Sequence, residues 1–256
     1  MSATAVRLKA RGGEQAEHWQ QRVDLAAAFR LAAEYGWHEA VANHFSLAVS
    51  DDGKQFLINP RWRHFSRMRA SELLLCNADD RSTLDRPGAP DPSAWSIHGA
   101  LHRLVPHARC VLHLHPKYGT TLAALADPSI PPLEQNCARF YRRVAIDLGY
   151  GGLANNADEG VRIAEAIGPH RRMMLGNHGV LVVAPTVAEA FDDLYYLERA
   201  ARTVVLAYST GRPLNVMPHE LAEHTAKAWE NYPPYSNAHF AEMKQILDAK
   251  DASYAT

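Results

Sequence analysis

Apolar side chains recur three and four positions apart in several segments of the chain, which is the spacing of one face of a helix. The first such segment is followed by Gly36 and the last by Gly211 and Pro213, residue types that end helices. Asp158 stands where a helix cap is expected. The spacing predicts helices over residues 17–35, 93–104, 117–126, 158–167 and 186–209.

Shorter apolar runs predict strands. In "HFSLAVSDDGKQFLINP", alternation on both sides of Asp52-Gly53 indicates an antiparallel hairpin of 43–50 and 54–59. Other strands are expected at 71–76, in "ARCVLHLH" (108–115) and in the two halves of "RMMLGNHGVLVVAP" (172–185). Strands and helices mix without strict alternation, which favours an α/β or α+β fold with a central mixed sheet covered by helices. Residues 128–138 look irregular, and 217–256 look like a tail of helical pieces with a turn or lid at "NYPPYS".

The composition is that of one globular domain, which we expect to span residues 1–256. A net charge of -1 and 47% hydrophobic residues give no reason to expect binding to nucleic acid or to an anionic membrane. The three cysteines lack metal-type spacing, which favours a reducing compartment over a disulfide framework. With neither an apolar leader nor a long apolar run in the sequence, we expect a cytoplasmic protein.

Two histidines interrupt the apolar run "VLHLHP". His113 and His115 are one residue apart, so on a strand both imidazoles project from the same face. His178 lies in a tight turn between Gly176 and Gly179, where the backbone can approach closely. Three imidazoles with an open position are a plausible site for a catalytic divalent metal. The chain has 14 histidines, so chance pairs and purely structural histidines are the competing interpretation.

The segments "SAWSIHGALHRLVPHARCVLHLHPKYGTTLAAL" and "GNHGVLVVAPTVAEAFDDLYYLERAA" resemble the class II aldolase/adducin family. The resemblance extends from about the first helix to about residue 209. It implies a mixed, mainly antiparallel sheet sandwiched between helices. It also implies that His113, His115 and His178 bind a divalent metal, usually zinc, with manganese, cobalt or iron as alternatives. A homo-oligomer, commonly a tetramer with active sites at subunit interfaces, is implied as well.

The sequence departs from the sugar-phosphate aldolases of this family at two places. Those enzymes carry an acidic general acid/base four positions before a histidine of the helix that precedes the H-x-H strand. Here that histidine is His98 and the acidic position is Ala94. In the loop "NPRWRHF", Arg61 and Trp62 replace a Thr-Gly-like pair near the substrate phosphate. Arginine suits recognition of a carboxylate as well as of a phosphate.

The missing acid favours one reaction over another. A metal that chelates two substrate oxygens stabilises the enolate that forms when an adjacent carbon–carbon bond breaks. Aldol cleavage must also remove a hydroxyl proton, whereas loss of CO₂ needs only a later proton donor. We therefore predict a metal-dependent lyase that decarboxylates a hydroxyaromatic or oxo acid. A class II aldolase acting on a hydroxy-carbonyl compound, an iron oxygenase and a non-enzymatic adducin-like scaffold are the alternatives.

The resemblance also suggests further site residues. His98 and Tyr141 are candidate proton donors, with structural or packing roles as the alternative, and Asn43, Arg61 and Ser93 are candidate contacts to a small-molecule acid. Ser93 would serve equally as a helix cap. Two further candidate proton donors, Tyr232 and Tyr235, lie in the tail, which we expect to be able to cover the active site.

Overall fold

The computed structural model describes residues 18–149, 151–152, 157–232 and 234–256, and its centre is a seven-stranded sheet. Numbered along the chain, the strands are β1 His44–Ala48, β2 Gln55–Ile58, β3 Leu74–Asn77, β4 Cys110–Leu114, β5 Val144–Asp147, β6 Arg172–Leu175 and β7 Gly179–Ala184. Their order in the sheet is β3-β2-β1-β4-β7-β6-β5. All neighbouring strands are antiparallel except β5 and β6, which are parallel, so the predicted mixed, mainly antiparallel sheet is confirmed.

Helices cover both faces of the sheet. They are α1 Trp19–Glu34, α2 Pro92–Leu104, α3 Lys117–Ala123, α4 Gln135–Arg139, α5 Ala157–Ile167, α6 Val187–Ser209, α7 His219–Glu230 and α8 Pro234–Asp251. Because both faces are covered, the central strands β4 and β7 are buried along their whole length, which explains why they are continuous apolar runs in the sequence. Within the described residues, no helix is long and apolar enough to cross a membrane.

Alternate residues of β4 enter two different cores. Leu112 and Leu114 pack in the larger core with α1, α3 and α6, where Phe29 stacks on Phe45 with ring centroids 4.6 Å apart. Val111 packs on the other face with residues of α2 and α5. His113 shares the face of Val111, so the sheet's central strand presents it on the side of α2 and α5.

Of the C-terminal helices, α8 packs on the larger core and α7 packs against α4. In α8, Lys244 pairs with Asp24 of α1 at 2.5 Å, and His239 contacts Asp192 of α6 at 2.7 Å. In α7, Glu223 pairs with Arg143, which follows α4. The helical pieces predicted after residue 217 are therefore two packed helices.

The structure differs from the sequence-based expectation at two places. Residues 128–138 were expected to be irregular, but α4 begins there because Glu134 caps it, accepting hydrogen bonds from the backbone N–H groups of Asn136 and Cys137. Strand β5 was not predicted. It is a short edge strand whose Ile146 is exposed, so the sequence there lacks the apolar run of a central strand.

Candidate metal centre

The three histidines predicted as ligands lie together in the structure. His113 belongs to β4, His115 follows its end, and His178 occupies the turn between β6 and β7. One ring nitrogen of each lies within 4.8 Å of the others. The paired register of β4 and β7 brings the turn beside the end of β4. Within the described residues, these side chains form a group that can hold a metal ion.

The turn that carries His178 depends on close backbone packing. Asn177 has a left-handed backbone, with φ 56°. At Gly179, an added Cβ would lie 2.6 Å from Cδ2 of His115 and 2.7 Å from the carbonyl oxygen of Leu114. Gly179 is therefore required where the turn touches the neighbouring ligand strand.

The donor set fits a divalent cation. His113 donates from Nδ1 to the carbonyl of Val180 at 3.0 Å, which leaves the lone pair on its Nε2. Nδ1 of His115 contacts Glu39 at 2.5 Å, while its Nε2 is buried with no hydrogen-bond partner. A buried nitrogen without a partner is costly, and a metal ion would satisfy it.

Burial also favours the form of histidine that binds metals. It is the main cause that lowers the pKa of His113 well below its usual value, and it lowers the pKa of His178 to about 4. Neighbouring histidines, His115 among them, lower both pKa values further. Both rings are thus neutral at pH 7, which is the form of histidine that binds metals.

A cavity of about 350 Å³ opens beside the cluster. It is lined by the three predicted substrate contacts, Asn43, Arg61 and Ser93. Asn43 has a left-handed backbone with φ 71°, and its Oδ1 accepts a hydrogen bond from the backbone N–H of Glu39 at 2.8 Å. Its Nδ2 is buried without a partner. Asn43 therefore offers an unused donor at the cavity wall.

A cationic and aromatic pair lies at another part of the wall. The guanidinium carbon of Arg61 lies 4.4 Å from the ring centre of Trp62, and Trp62 is 71% exposed. Stacking on the indole holds the flat guanidinium while its N–H groups stay available. This arrangement suits a planar anion such as a carboxylate.

The beginning of α2 forms a wall of the cavity that includes Asp91, Ser93 and Ala94. Ala94 stands at the position where the aldolases have their acid, and it lines the cavity. Oδ1 of Asp91 caps the helix, accepting hydrogen bonds from the backbone N–H of Ser93 at 2.9 Å, from that of Ala94 at 3.4 Å and from the Ser93 hydroxyl at 2.5 Å. Ser93 is thus both a cavity residue and part of the cap.

The predicted proton donors His98 and Tyr141 do not line this cavity. His98 is fully buried behind the wall, and its Nε2 contacts Nδ1 of His44 at 2.7 Å. The hydroxyl of Tyr141 instead contacts Nδ1 of His219 in α7 at 3.1 Å. Direct roles for His98 and Tyr141 within one chain therefore stay predictions without support from their positions.

His44 and Glu39 were not predicted from the sequence. His44 lines the cavity, with its ring 4.9 Å from that of His113 across the β1–β4 pair. The signal was present, because His44 and Ser46 alternate on one face of a predicted strand. Glu39 lies in a loop, and no local pattern connects it to His115.

A second cavity, of about 420 Å³, lies elsewhere, among α4, α6 and the C-terminal helices, and includes Tyr232 and Tyr235. Its arginines are paired with acids: Arg139 with Asp192 at 2.6 Å, and Arg171 with Glu189 at 2.8 Å. The larger cavity is therefore a network of compensated charges, and the chemistry expected of a metal centre lies at the histidine cluster.

A buried histidine behind the cavity makes the stability depend on pH. Burial lowers the pKa of His102 to about 4, whereas an unfolded histidine titrates near 6.5. Below pH 6.5 the unfolded chain therefore binds the proton first. The free energy of unfolding should be highest above pH 6.5 and lose about 3 kcal/mol from this residue as the pH falls to 4.

Urea unfolding of the wild type and of His102→Gln at a series of pH values measures this contribution. The variant should be less stable at pH 7 and show a flatter slope between pH 6.5 and 4. Exchange of the exposed His224 for Gln serves as the control and should leave the slope unchanged. Equal slopes for the wild type and His102→Gln would contradict the assignment.

The seven-stranded sheet and its histidine cluster define an α/β domain of the class II aldolase type. Residues 23–205 match the family model for the class II aldolase and adducin N-terminal domain, and the chain belongs to this family. It is 34% identical to a Caulobacter vibrioides protein of aldolase class 2, over 80% of this chain and 79% of the relative.

Two other proteins are similar to this chain, one in its solved structure and one in its sequence. A crystal structure of an aldolase II superfamily protein from Pseudomonas syringae superimposes with a TM-score of 0.85 at 30% identity, covering 96% of this chain and 98% of the other. The decarboxylase NovR of Streptomyces niveus is 28% identical over 89% of this chain and 86% of its own length.

Proposed function

We propose that the protein is a metal-dependent carbon–carbon lyase that decarboxylates a hydroxyaromatic or oxo acid. One observation carries the proposal: the cavity beside the three histidines has Ala94 at the position of the aldolase acid. Asp91, which also lines the cavity, caps α2 through its Oδ1. The similarity to the decarboxylase NovR supports the same reaction class.

The chain's residues have distinct roles in this proposal. His113, His115 and His178 hold the metal, with zinc as the first expectation and manganese, cobalt or iron as alternatives. When bound, such a metal acts as a Lewis acid toward substrate oxygens. Arg61 pairs with the substrate carboxylate, and Nδ2 of Asn43 donates a hydrogen bond to a second oxygen.

The proton requirement matches the available groups. Loss of CO₂ from a carboxylate needs no base, so the absence of an acid at position 94 does not hinder it. A proton must then reach the carbon that lost CO₂. Tyr141 contacts His219 of its own chain, and no tyrosine among the described residues lines the cavity, so we propose that a tyrosine of another subunit donates the proton.

Proton donation by a tyrosine of another subunit agrees with the oligomer that we propose. A homotetramer with active sites at its interfaces would place residues of one chain beside the cavity of another. None of the described residues of 217–256 lines the cavity of its own chain, so the proposed covering of the site by this tail would also act between subunits. We further propose that residues 1–256 form one domain and that the protein is cytoplasmic.

Release of CO₂ tests the function. The zinc-loaded protein, offered a panel of oxo and hydroxyaromatic acids, should release CO₂ from at least one of them. Ala94→Glu restores the acid of the aldolases and should not raise that rate, because decarboxylation does not use it. Ala94→Gln has the same size without the charge and is the matched control.

Other results would favour the alternatives. A large gain in CO₂ release by Ala94→Glu, absent in Ala94→Gln, would show that the proton argument is wrong. Cleavage of a hydroxy-carbonyl compound without CO₂ would indicate an aldolase. Iron in the purified protein together with oxygen consumption would indicate an oxygenase, and a protein that takes up no metal would indicate a scaffold.

A further inference from the structure

A continuous chain of hydrogen bonds runs from the backbone into the wall of the cavity. The carbonyl of Ala108 contacts Nδ1 of His102 at 2.6 Å, and Nε2 of His102 contacts the Ser46 hydroxyl at 2.7 Å. The same hydroxyl contacts Nδ1 of His98, and Nε2 of His98 contacts Nδ1 of His44 at 2.7 Å. His44 is the member that lines the cavity.

The carbonyl end fixes the direction of every bond when the rings are neutral. A carbonyl only accepts, so His102 carries its proton on Nδ1 and its Nε2 accepts from the Ser46 hydroxyl. The Ser46 oxygen then accepts from Nδ1–H of His98. Nε2 of His98 in turn accepts from Nδ1–H of His44.

The rings of His98 and His102 are neutral because the hydrogen-bonded side chains are buried. Ser46 and His98 are fully buried and His102 is 5% exposed. Burial lowers the pKa of His98 well below its usual value and that of His102 to about 4. A proton added to Nε2 of His98 or of His102 would also place a second donor opposite a neighbour that already donates.

We infer that this relay, Ala108–His102–Ser46–His98, holds His44 in the tautomer whose Nε2 lone pair is unused, and that His44 thereby accepts a hydrogen bond from a hydroxyl group of the substrate. The inference deepens the proposed function, on which it rests, because it narrows the substrate to an acid that carries a free hydroxyl. His102, Ser46 and His98 are positioning residues.

The position of His44 supports this role over that of a fourth metal ligand. Among the described residues, the group of ligand atoms within 4.8 Å of one another consists of His113, His115 and His178 alone. The ring of His44 nevertheless lies 4.9 Å from that of His113. A hydroxyl bound beside the histidine cluster is therefore within reach of Nε2 of His44, which makes no hydrogen bond with a described residue.

The tautomer can be observed without turnover. Nitrogen-15 NMR of protein labelled at its histidines, as purified and after zinc loading, should show His44 protonated on Nδ1 and not on Nε2, with the His44→Leu spectrum assigning the signals. In Ser46→Ala, His98 loses its acceptor, so the signals of His44 should shift toward a mixture of tautomers. Wild-type protein with the proton on Nε2 of His44, or on both nitrogens, would overturn the inference.

The acceptor role is tested by binding. Salicylate and 2-methoxybenzoate both offer two adjacent oxygens to a metal, but only salicylate donates a hydrogen bond. The zinc-loaded wild type should bind salicylate about three to ten times more tightly than its ether, the value of one neutral hydrogen bond. In His44→Leu that ratio should fall to about one, while the zinc content stays the same.

Each other outcome has a definite meaning. An unchanged ratio in His44→Leu, loss of zinc from this variant, or a wild type that binds neither probe or both equally would overturn the inference. Both readouts are independent of CO₂ release. A protein with the predicted tautomer and binding ratio but without decarboxylase activity would therefore refute the proposed reaction and leave the role of His44 standing.

Discussion

His113→Ala should lose its metal while keeping its fold. The side chain supplies one of three ligand nitrogens, so its removal is expected to weaken metal affinity by more than about a hundredfold, beyond the effect of losing an outer partner. The fold should persist because β4 keeps its pairing with β1 and β7. Elemental analysis of protein purified without chelator, together with circular dichroism, measures both effects.

The exposed His224 provides the control for this experiment. His224→Ala removes an imidazole from α7, outside the histidine cluster, and should retain the same metal content as the wild type, which we expect to be about one ion per chain. If His113→Ala retained the full metal content, the assignment of the cluster as the metal centre would be wrong.

Gly179→Ala should damage both the fold and the site. Its Cβ would lie 2.6 Å from a carbon of the His115 ring and 2.7 Å from a backbone oxygen, so either β7 or His115 must move. Overpacking of this kind costs about 1–3 kcal/mol, and displacement of a ligand should lower metal affinity by about a hundredfold. Thermal unfolding and titration with zinc give the two values.

Gly151→Ala is the matched control, because a Cβ there meets no atom of a described residue within 4 Å and the backbone is not left-handed. It should change neither the stability nor the metal affinity appreciably. Normal zinc binding by Gly179→Ala would contradict the role given to this close contact.

The sequence predicts most of the features that depend on the position of a residue within a single strand, turn or helix. The period of a strand places His113 and His115 on one side, and the glycines around His178 indicate the close turn that the structure contains. The hairpin at Asp52-Gly53 and the long helix α6 follow from equally local signals. These features depend on residues close together in the chain.

What the sequence did not predict depends on contacts between distant segments. Glu39 reaches His115 from a loop, and the link from His44 to His98 joins β1 to α2. Tyr141 was assigned to the site from resemblance alone, and the structure places it beside α7. Strand β5 escaped notice because, at the edge of the sheet, it is stabilised by pairing with β6 and not by an apolar sequence of its own.

The place of β4 at the middle of the sheet has a consequence for folding kinetics. Its partners β1 and β7 come from distant parts of the chain, so their pairing closes large loops and belongs to the slow, non-local steps. The ligand nitrogens meet only after β4 and β7 have paired. Zinc added during refolding should therefore be taken up late, and the time course of its uptake would report completion of the central sheet.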